Sequence, residues 1–269
     1  MNFVKRMKEI KNAVKVFFLI GELFKWILSK ILYKGVKVRI GEFETPVRLD
    51  PRVAFSDMVR DWGKGHNSCF MKWIETCKGR RVVFDVGAHV GFYSIPASFV
   101  VDKSGKVIAF EPADINYSLL LKHKKLNGLK NLYVYKCVVG ESSKSNVIFY
   151  ETNLPVGLPR KIPIKGYKKV YKSQISLDDF SVSKDLIPEV MKIDVEGAEL
   201  EVLKGASYIL EKYHPVLFLS IHPNLIRYYN SSVEDLVGFL KKYNYRIYNS
   251  SGCIVEKIVH GEYMVVYEG

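Results

Sequence analysis

Three carboxylates stand at the ends of apolar runs, and their type and spacing suit ligand chemistry. Asp85 lies in VVFDVGAHVGFY (Val82 to Tyr93), Glu111 closes VIAFEP (Val107 to Pro112), and Asp194 lies in EVMKIDVEGA (Glu189 to Ala198). A short apolar run that stops at an acid and breaks into glycine reads as a buried parallel strand entering a tight turn. Gly87 and Gly91 bracket Ala88, His89 and Val90, and glycine there frees the backbone and admits a ligand without a Cβ in the way. Such turns lie at the carboxyl ends of strands, where open α/β sheets bind ligands. Glu111 suits a ribose, whose vicinal hydroxyls can both donate to one carboxylate. Acids and glycines also favour helix-starting turns for purely local reasons. Three such acids facing one crevice is the reading favoured over three unrelated turns.

Past Asp194 come Glu196 and Glu199. Acids in the first turn of a helix meet its dipole, and these two could do only that. Asp194, at the strand end, is the first candidate to accept a proton or hold an orienting group, with Glu196 and His222 next. His222 ends PVLFLSIHP at the same sheet edge, although a lone histidine is more often structural. The spacing of these acids does not call for a metal.

The elements that must position these groups alternate: strand 81–86, helix 92–100, strand 107–111, helix 114–127, strand 132–138. That pattern implies a parallel sheet wrapped by helices. Asn127-Gly128 marks a helix end. A helix over Leu200 to Glu211, the strand PVLFLSIHP, a helix over 232–243 capped by Ser231 or Ser232, and closing strands Tyr245–Tyr248 and Tyr263–Tyr267 complete it.

FDVGAHVGFYS, AFEP and MKIDVEGAELEVLKGA resemble the motifs of the FkbM family of S-adenosylmethionine-dependent methyltransferases, over about residues 80 to 222. ISLDDF (175–180) resembles a further element of that family. The resemblance implies an α/β, Rossmann-like class I methyltransferase sheet, mostly parallel with an antiparallel closing strand. It implies S-adenosyl-L-methionine held by Asp85, Gly87, Ala88, His89, Gly91, Tyr93, Glu111 and Pro112, with Val138 and Val139 beside the adenine. It also implies O-methylation of a hydroxyl on a sugar, glycolipid or secondary metabolite. The family pattern often carries an acid two residues before the histidine, where this chain has Ser220, which puts an acid role there in doubt.

Other classes fit less well. Asp-x-Gly-x-x-x-Gly is not the Gly-x-Gly-x-x-Gly of nicotinamide enzymes. A nucleic-acid amino methyltransferase usually shows Asn/Asp-Pro-Pro-aromatic where this chain has Asp194-Val195-Glu196-Gly197, so nucleic acid is the weaker partner despite a net charge of +13. That charge favours an anionic partner or is simply a solvated basic surface. A membrane-docked binding protein that keeps the fold without activity remains an alternative.

Three regions follow from composition. Residues 1–34 form a basic amphipathic helix, with Lys5, Lys8, Lys11, Lys15 and Lys25 opposite Phe17, Ile20, Phe24, Ile27 and Ile31. Glu22, Lys25 and Lys30 interrupt the apolar run, which argues against a span and for an interfacial helix on an anionic membrane through residues 5–33. Docking of that helix on the domain or a second subunit fits equally. Residues 35–78 elaborate the domain over the crevice, with Asp57, Trp62, His66 and Asn67 as candidates for acceptor contact. Residues 79–269 form the methyltransferase domain, within which 154–173 reads as an irregular basic loop or ribbon, gripping an anionic acceptor or merely solvated. Cys69, Cys77, Cys137 and Cys253 show no zinc spacing, Cys137 reads as core, and reduced thiols imply a cytoplasmic protein, peripheral on the inner membrane face if the helix docks there.

Overall fold

The computed structural model describes residues 33–152 and 165–269, together with positions 21, 23, 27 and 31. The basic helix expected over 1–34 thus lies almost wholly outside the described residues, as does 153–164 of the basic loop, and the side chain of His66. Among the described residues no helix is long and apolar enough to cross a membrane.

The strands are β1 (Val36–Val38), β2 (Val47–Leu49), β3 (Val82–Val86), β4 (Lys106–Phe110), β5 (Leu132–Tyr135), β6 (Val138–Val139), β7 (Lys144–Glu151), β8 (Lys168–Ile175), β9 (Val190–Ile193), β10 (Val216–Ile221), β11 (Tyr245–Tyr248) and β12 (Gly261–Tyr267). Seven of them form the main sheet in the order β11-β12-β10-β9-β3-β4-β5. The pairs β3–β4, β4–β5, β3–β9 and β9–β10 are parallel, while β12 runs antiparallel to both β10 and β11. This is the class I methyltransferase sheet, with its antiparallel closing strand. The inner strands are buried on both faces, which is why they read as apolar runs rather than alternating ones. Side-chain alternation splits them between two cores: Val83, Val107 and Ala109 pack with Phe70, Trp73 and Ile95 on one face. Phe84, Val86, Ile108, Phe110, Met191 and Ile193 pack with Phe180 and Leu203 on the other.

From β3 the chain steps outward through β4 to β5, then returns to place β9 on the opposite side of β3. Neighbouring connections diverge at β3 and β9 and open a crevice at their carboxyl ends. The helices after the strands start where their sequences provide caps. Ser232, not Ser231, caps Val233–Lys242 in a reciprocal box with Asp235. Ser176 caps Leu177–Lys184.

Three expectations need correction. The helix expected over Leu200 to Glu211 is two, Glu199–Lys204 and Ser207–Tyr213, broken at Gly205, where a Cβ would lie 2.1 Å from the Gly140 carbonyl oxygen. The run 132–138 is not one strand: β5 stays in the main sheet, while Val138 and Val139 leave it to pair with Gln174 and Ile175 of β8. Nor is the described part of 154–173 irregular, because Lys168–Ile175 forms a strand antiparallel to β7. The prolines of that segment all fall in the undescribed part, and what remains alternates in burial as a strand does, with Val170 and Lys172 turned inward and Lys169 and Tyr171 exposed. Lys172 is mostly buried against Glu151 (3.0 Å) and Asp114, so it is not free to grip an acceptor.

The N-terminal elaboration is fastened by a buried histidine. His123, on the helix Asp114–Leu126, is fully buried; its Nδ1 meets the Val90 carbonyl at 2.8 Å and its Nε2 accepts from the Asp50 amide at 2.9 Å. Those partners require the neutral ring, donating from Nδ1. Burial holds the His123 pKa down at about 4. A histidine with a depressed folded pKa contributes stability that is complete above its unfolded value, near 6.5, and is lost as pH falls toward 4. The stability advantage of wild type over His123→Gln should therefore shrink by about 3 kcal/mol between pH 7.5 and 4. Urea denaturation across that range checks this, and an advantage independent of pH would contradict it. Asp50 adds a later loss: burial raises its pKa, but Arg52 and Lys122 outweigh that and hold it at about 2, so its contribution fades only below the ordinary carboxylate range.

Candidate active site

The crevice at the ends of β3, β4 and β9 holds a cavity of about 510 Å³. Its walls include Asp85, Gly87, Ala88, His89, Tyr93, Glu111, Pro112, Val138, Val139, Asp194, Glu196 and His222. Every residue singled out as a cofactor or catalytic candidate thus lines it, except Gly91. Trp62 and Asn67 of the elaboration line it too, whereas Asp57 is exposed and pairs with Arg60 at 3.2 Å. Cys137, expected in the core, is half-buried in the cavity wall.

The glycines serve packing rather than ligand clearance. A Cβ on Gly87 would lie 1.9 Å from the Asp194 carbonyl oxygen, and one on Gly91 would lie 2.5 Å from Leu120 Cδ1. Gly87 lets the turn after β3 close onto the turn after β9, and Gly91 lets a helix seat beside it. Both turns also carry a non-glycine residue in the left-handed region, His89 at φ 51° and Glu196 at φ 54°. Such backbone is costly and persists where the surroundings fix it.

At the β4 end, Glu111 is buried and both its oxygens accept backbone amides, from His89 at 2.8 Å and Ala113 at 2.9 Å. Each oxygen keeps a lone pair for another donor. Burial drives its pKa up to about 7 in spite of those two bonds. Beside it Asn116 is buried in the cavity wall, its side chain against Glu111, where it works to lower that carboxyl's pKa. A buried amide in a cavity wall, beside a carboxylate, suits a polar ligand. At the β3 end Asp85 accepts from the Ser94 hydroxyl, and burial raises its pKa to about 6.

At the β9 end lies a network only part of which was legible in the sequence. Lys192, fully buried in the middle of β9, donates to Ser220 Oγ at 2.7 Å and to Asp194 Oδ2 at 3.2 Å. It lies 3.4 Å from Glu262 and under the Tyr93 ring at 4.8 Å. Tyr93 donates its hydroxyl to Glu262 at 2.6 Å, so this residue, assigned to the cofactor by resemblance, is tied to the lysine's support. Ser220 and Glu262 are register partners across β10 and β12. Glu262 therefore places next to Lys192 the acid that position 220 lacks. Burial raises the Asp194 pKa, but Lys192 and His222 outweigh that and hold it at about 2.

His222 is nine-tenths buried and bonds Glu199 Oε1 through Nδ1 at 2.8 Å. Its Nε2 faces Asp194 Oδ1 at 3.8 Å and Glu196 Oε1 at 3.7 Å. Burial lowers the His222 pKa, but Glu199, Asp194 and Glu196 more than reverse that and raise it to about 9. Glu199 is thus more than a helix-dipole acid: it sets the ring's orientation, and its Oε1 also accepts from the Gly197 amide at 2.9 Å. Sequence reasoning passed over Lys192, Asn116 and Glu262, and gave Glu199 only a helix-dipole role. Only Lys192 left a usable signal, a charge inside a wholly apolar strand two residues from Asp194 and so on the same face.

Comparison with known proteins shows the family. The Methyltransferase FkbM domain matches residues 85–247, more than half of the chain. The chain is 28% identical over 156 residues to Methyltransferase sdnD of Sordaria araneosa, covering 46% of this chain and 59% of that protein. It is also 28% identical over 167 residues to the Hexuronic acid methyltransferase AglP of Haloferax volcanii, covering 61% and 65%. The chain therefore spans less than two thirds of the length of these relatives. Among solved structures it is similar to Methyltransferase FkbM from Methylobacillus flagellatus KT, at TM-score 0.47 and 20% identity, covering 71% of this chain and 44% of that one. The matched span opens at Asp85 and runs past His222, taking in the acids at the ends of all three central strands, and on that match the chain belongs to the FkbM methyltransferase family.

Proposed function

We propose that this crevice transfers a methyl group from S-adenosylmethionine to a hydroxyl oxygen of a sugar-containing or small-molecule acceptor. The observation that carries the reading is the separation of two kinds of carboxylate in one cavity. Glu111 stands at the end of β4 and Asp194 at the end of β9, on either side of β3, about 10 Å apart at ordinary strand spacing. A cavity of about 510 Å³ is of the size that takes a nucleoside-bearing ligand.

The sulfonium donor supplies an electrophilic methyl, and the electrons of its carbon–sulfur bond stay on sulfur. The chain's own residues do the rest by position. Glu111 accepts from the ribose hydroxyls on the lone pairs its backbone partners leave, with the Asn116 amide beside it. Asp85, held by Ser94, faces the cavity between the two ends. Asp194 and Glu196 receive the acceptor's hydroxyl, orient its lone pair, and take its proton as the oxygen gains the methyl and becomes acidic. His222 braces those two carboxylates while Glu199 holds its ring. Trp62 and Phe92, with rings 4.4 Å apart, line the wall with Tyr229 and suit a flat or sugar-like acceptor. A hexuronic acid is the kind of acceptor named for one relative.

Glu111→Ala should weaken S-adenosylhomocysteine binding by roughly 1.5–3 kcal/mol, the value of a charge-assisted hydrogen-bond set. Isothermal titration of wild type and variant tests it. Unchanged affinity in a folded variant would move the ribose away from β4, and no binding by wild type would remove the donor from the reading.

A further inference from the structure

We propose that Asp194, Glu196 and His222 form a divalent-cation site, with Glu199 as the residue that aims the histidine at the ion. The ion is of the Mg²⁺ or Mn²⁺ class, taken at the acceptor end of the cavity.

The geometry has four parts. One ligand atom from each of the three residues falls within a 4.8 Å set. Two ligands of one such ion, each about 2.1 Å from it, lie roughly 3.0–4.2 Å apart. The His222 Nε2 distances to Asp194 Oδ1 and Glu196 Oε1, 3.8 and 3.7 Å, fall in that window. They are too long for hydrogen bonds. The set need contract by only about half an ångström to reach ligand spacing.

The second part is the histidine itself. A ligating imidazole commonly spends its other nitrogen on a carboxylate, which fixes the ring and makes the ligating nitrogen more basic. His222 does this through Nδ1 to Glu199 Oε1 at 2.8 Å, and it is nine-tenths buried, so Nε2 faces the cluster and the cavity, where an ion would displace its proton. Third, Asp194 divides its oxygens: Oδ2 takes Lys192, and Oδ1 faces His222. Lys192 thereby orients the carboxylate without occupying the ligand position. Fourth, all three candidates line the cavity, so the remaining coordination positions open toward where an acceptor enters. Two carboxylate oxygens and one imidazole form a mostly hard donor set with open positions, suited to Mn²⁺ or Mg²⁺.

The chemistry the ion adds rests on the methyl-transfer reading; its binding does not. A cation there would hold an acceptor hydroxyl and lower its pKa, so that Glu196, on its second carboxylate oxygen, receives a proton already loosened.

The test titrates the full chain with Mn²⁺ and follows free Mn²⁺ by electron paramagnetic resonance, with Mg²⁺ as competitor. One Mn²⁺ per chain is expected. Glu196→Gln and His222→Gln should each weaken it at least tenfold, and Glu199→Gln, which touches the ring and the Gly197 amide but not the ion, by about 10–100-fold. If a variant does not fold, the wild type still decides: bound Mn²⁺ should broaden the His222 ring protons in the nuclear magnetic resonance spectrum. No binding by wild type at millimolar Mn²⁺, or affinity unchanged in folded variants, or an unbroadened His222, would overturn the proposal. S-adenosylhomocysteine titrated into the same sample keeps the two readings apart. Binding of it without Mn²⁺ removes the cation site alone, and binding of Mn²⁺ without it removes the donor reading alone.

Discussion

Asp194→Asn should leave a folded protein that binds S-adenosylhomocysteine and transfers methyl groups about 10²–10⁴-fold more slowly. The carboxylate is a strand-end group with its two oxygens already divided between Lys192 and the cavity. Asparagine keeps the shape and loses the charge and one acceptor oxygen at the position where the acceptor's proton must go. The fold should tolerate the change, because Lys192 retains Ser220 at 2.7 Å and Glu262 at 3.4 Å. Those contacts keep the buried ammonium paired, and it is loss of all partners that makes a buried charge strongly destabilising. Labelled-methyl turnover measured beside a thermal melt separates the two effects. Near-normal turnover in the folded variant would move the proton to Glu196 or His222.

Gly87→Ala should be the most damaging small change at the site. The new methyl would meet the Asp194 carbonyl oxygen at 1.9 Å, and the residue sits at φ +82°. Neither partner is a flexible side chain that can step aside. Left-handed backbone costs an alanine about 1–2 kcal/mol, and forced displacement in a packed interior adds about 1–3. The expected loss is about 2–5 kcal/mol by urea denaturation. Gly128→Ala is the control: its φ is +64°, but no atom lies within 4 Å of the added Cβ, so only the backbone cost applies. Equal losses at the two positions would show that the approach of the β3 and β9 turns is not under steric control. A larger loss at Gly87 shows that the glycine exists to bring Asp85 and Asp194 to one crevice.

Much of this was legible because parallel strands buried on both faces leave unbroken apolar runs, and because an acid that ends such a run stands out. Asp85, Glu111 and Asp194 could therefore be placed at one sheet edge before any coordinates, and the closing strands were visible as Tyr-rich runs after the last helix. What stayed hidden depends on pairing across long sequence separation. Glu262 reaches Lys192 only because β12 inserts antiparallel beside β10 and brings it level with Ser220. Glu199 looks like any first-turn acid until His222 arrives against it. The departure of Val138 and Val139 from β5 could not be seen in an apolar run, since β8 supplies their partners from more than thirty residues away. The glycine pattern gave the right turn for an incomplete reason: the space it frees is filled by protein.

Methyl transfer to a hydroxyl oxygen is tested most directly by the bond formed. The wild-type protein is incubated with S-adenosylmethionine labelled in the methyl group and with hexuronic-acid-containing glycans, and the product is treated with alkali. A hexuronic acid offers both hydroxyls and a carboxylate, and only the hydroxyl route needs Asp194 and Glu196 to take a proton. The expected label survives alkali as a methyl ether and is largely lost in Asp194→Asn. Label released by alkali as a methyl ester, at a rate indifferent to Asp194→Asn, would contradict transfer to a hydroxyl.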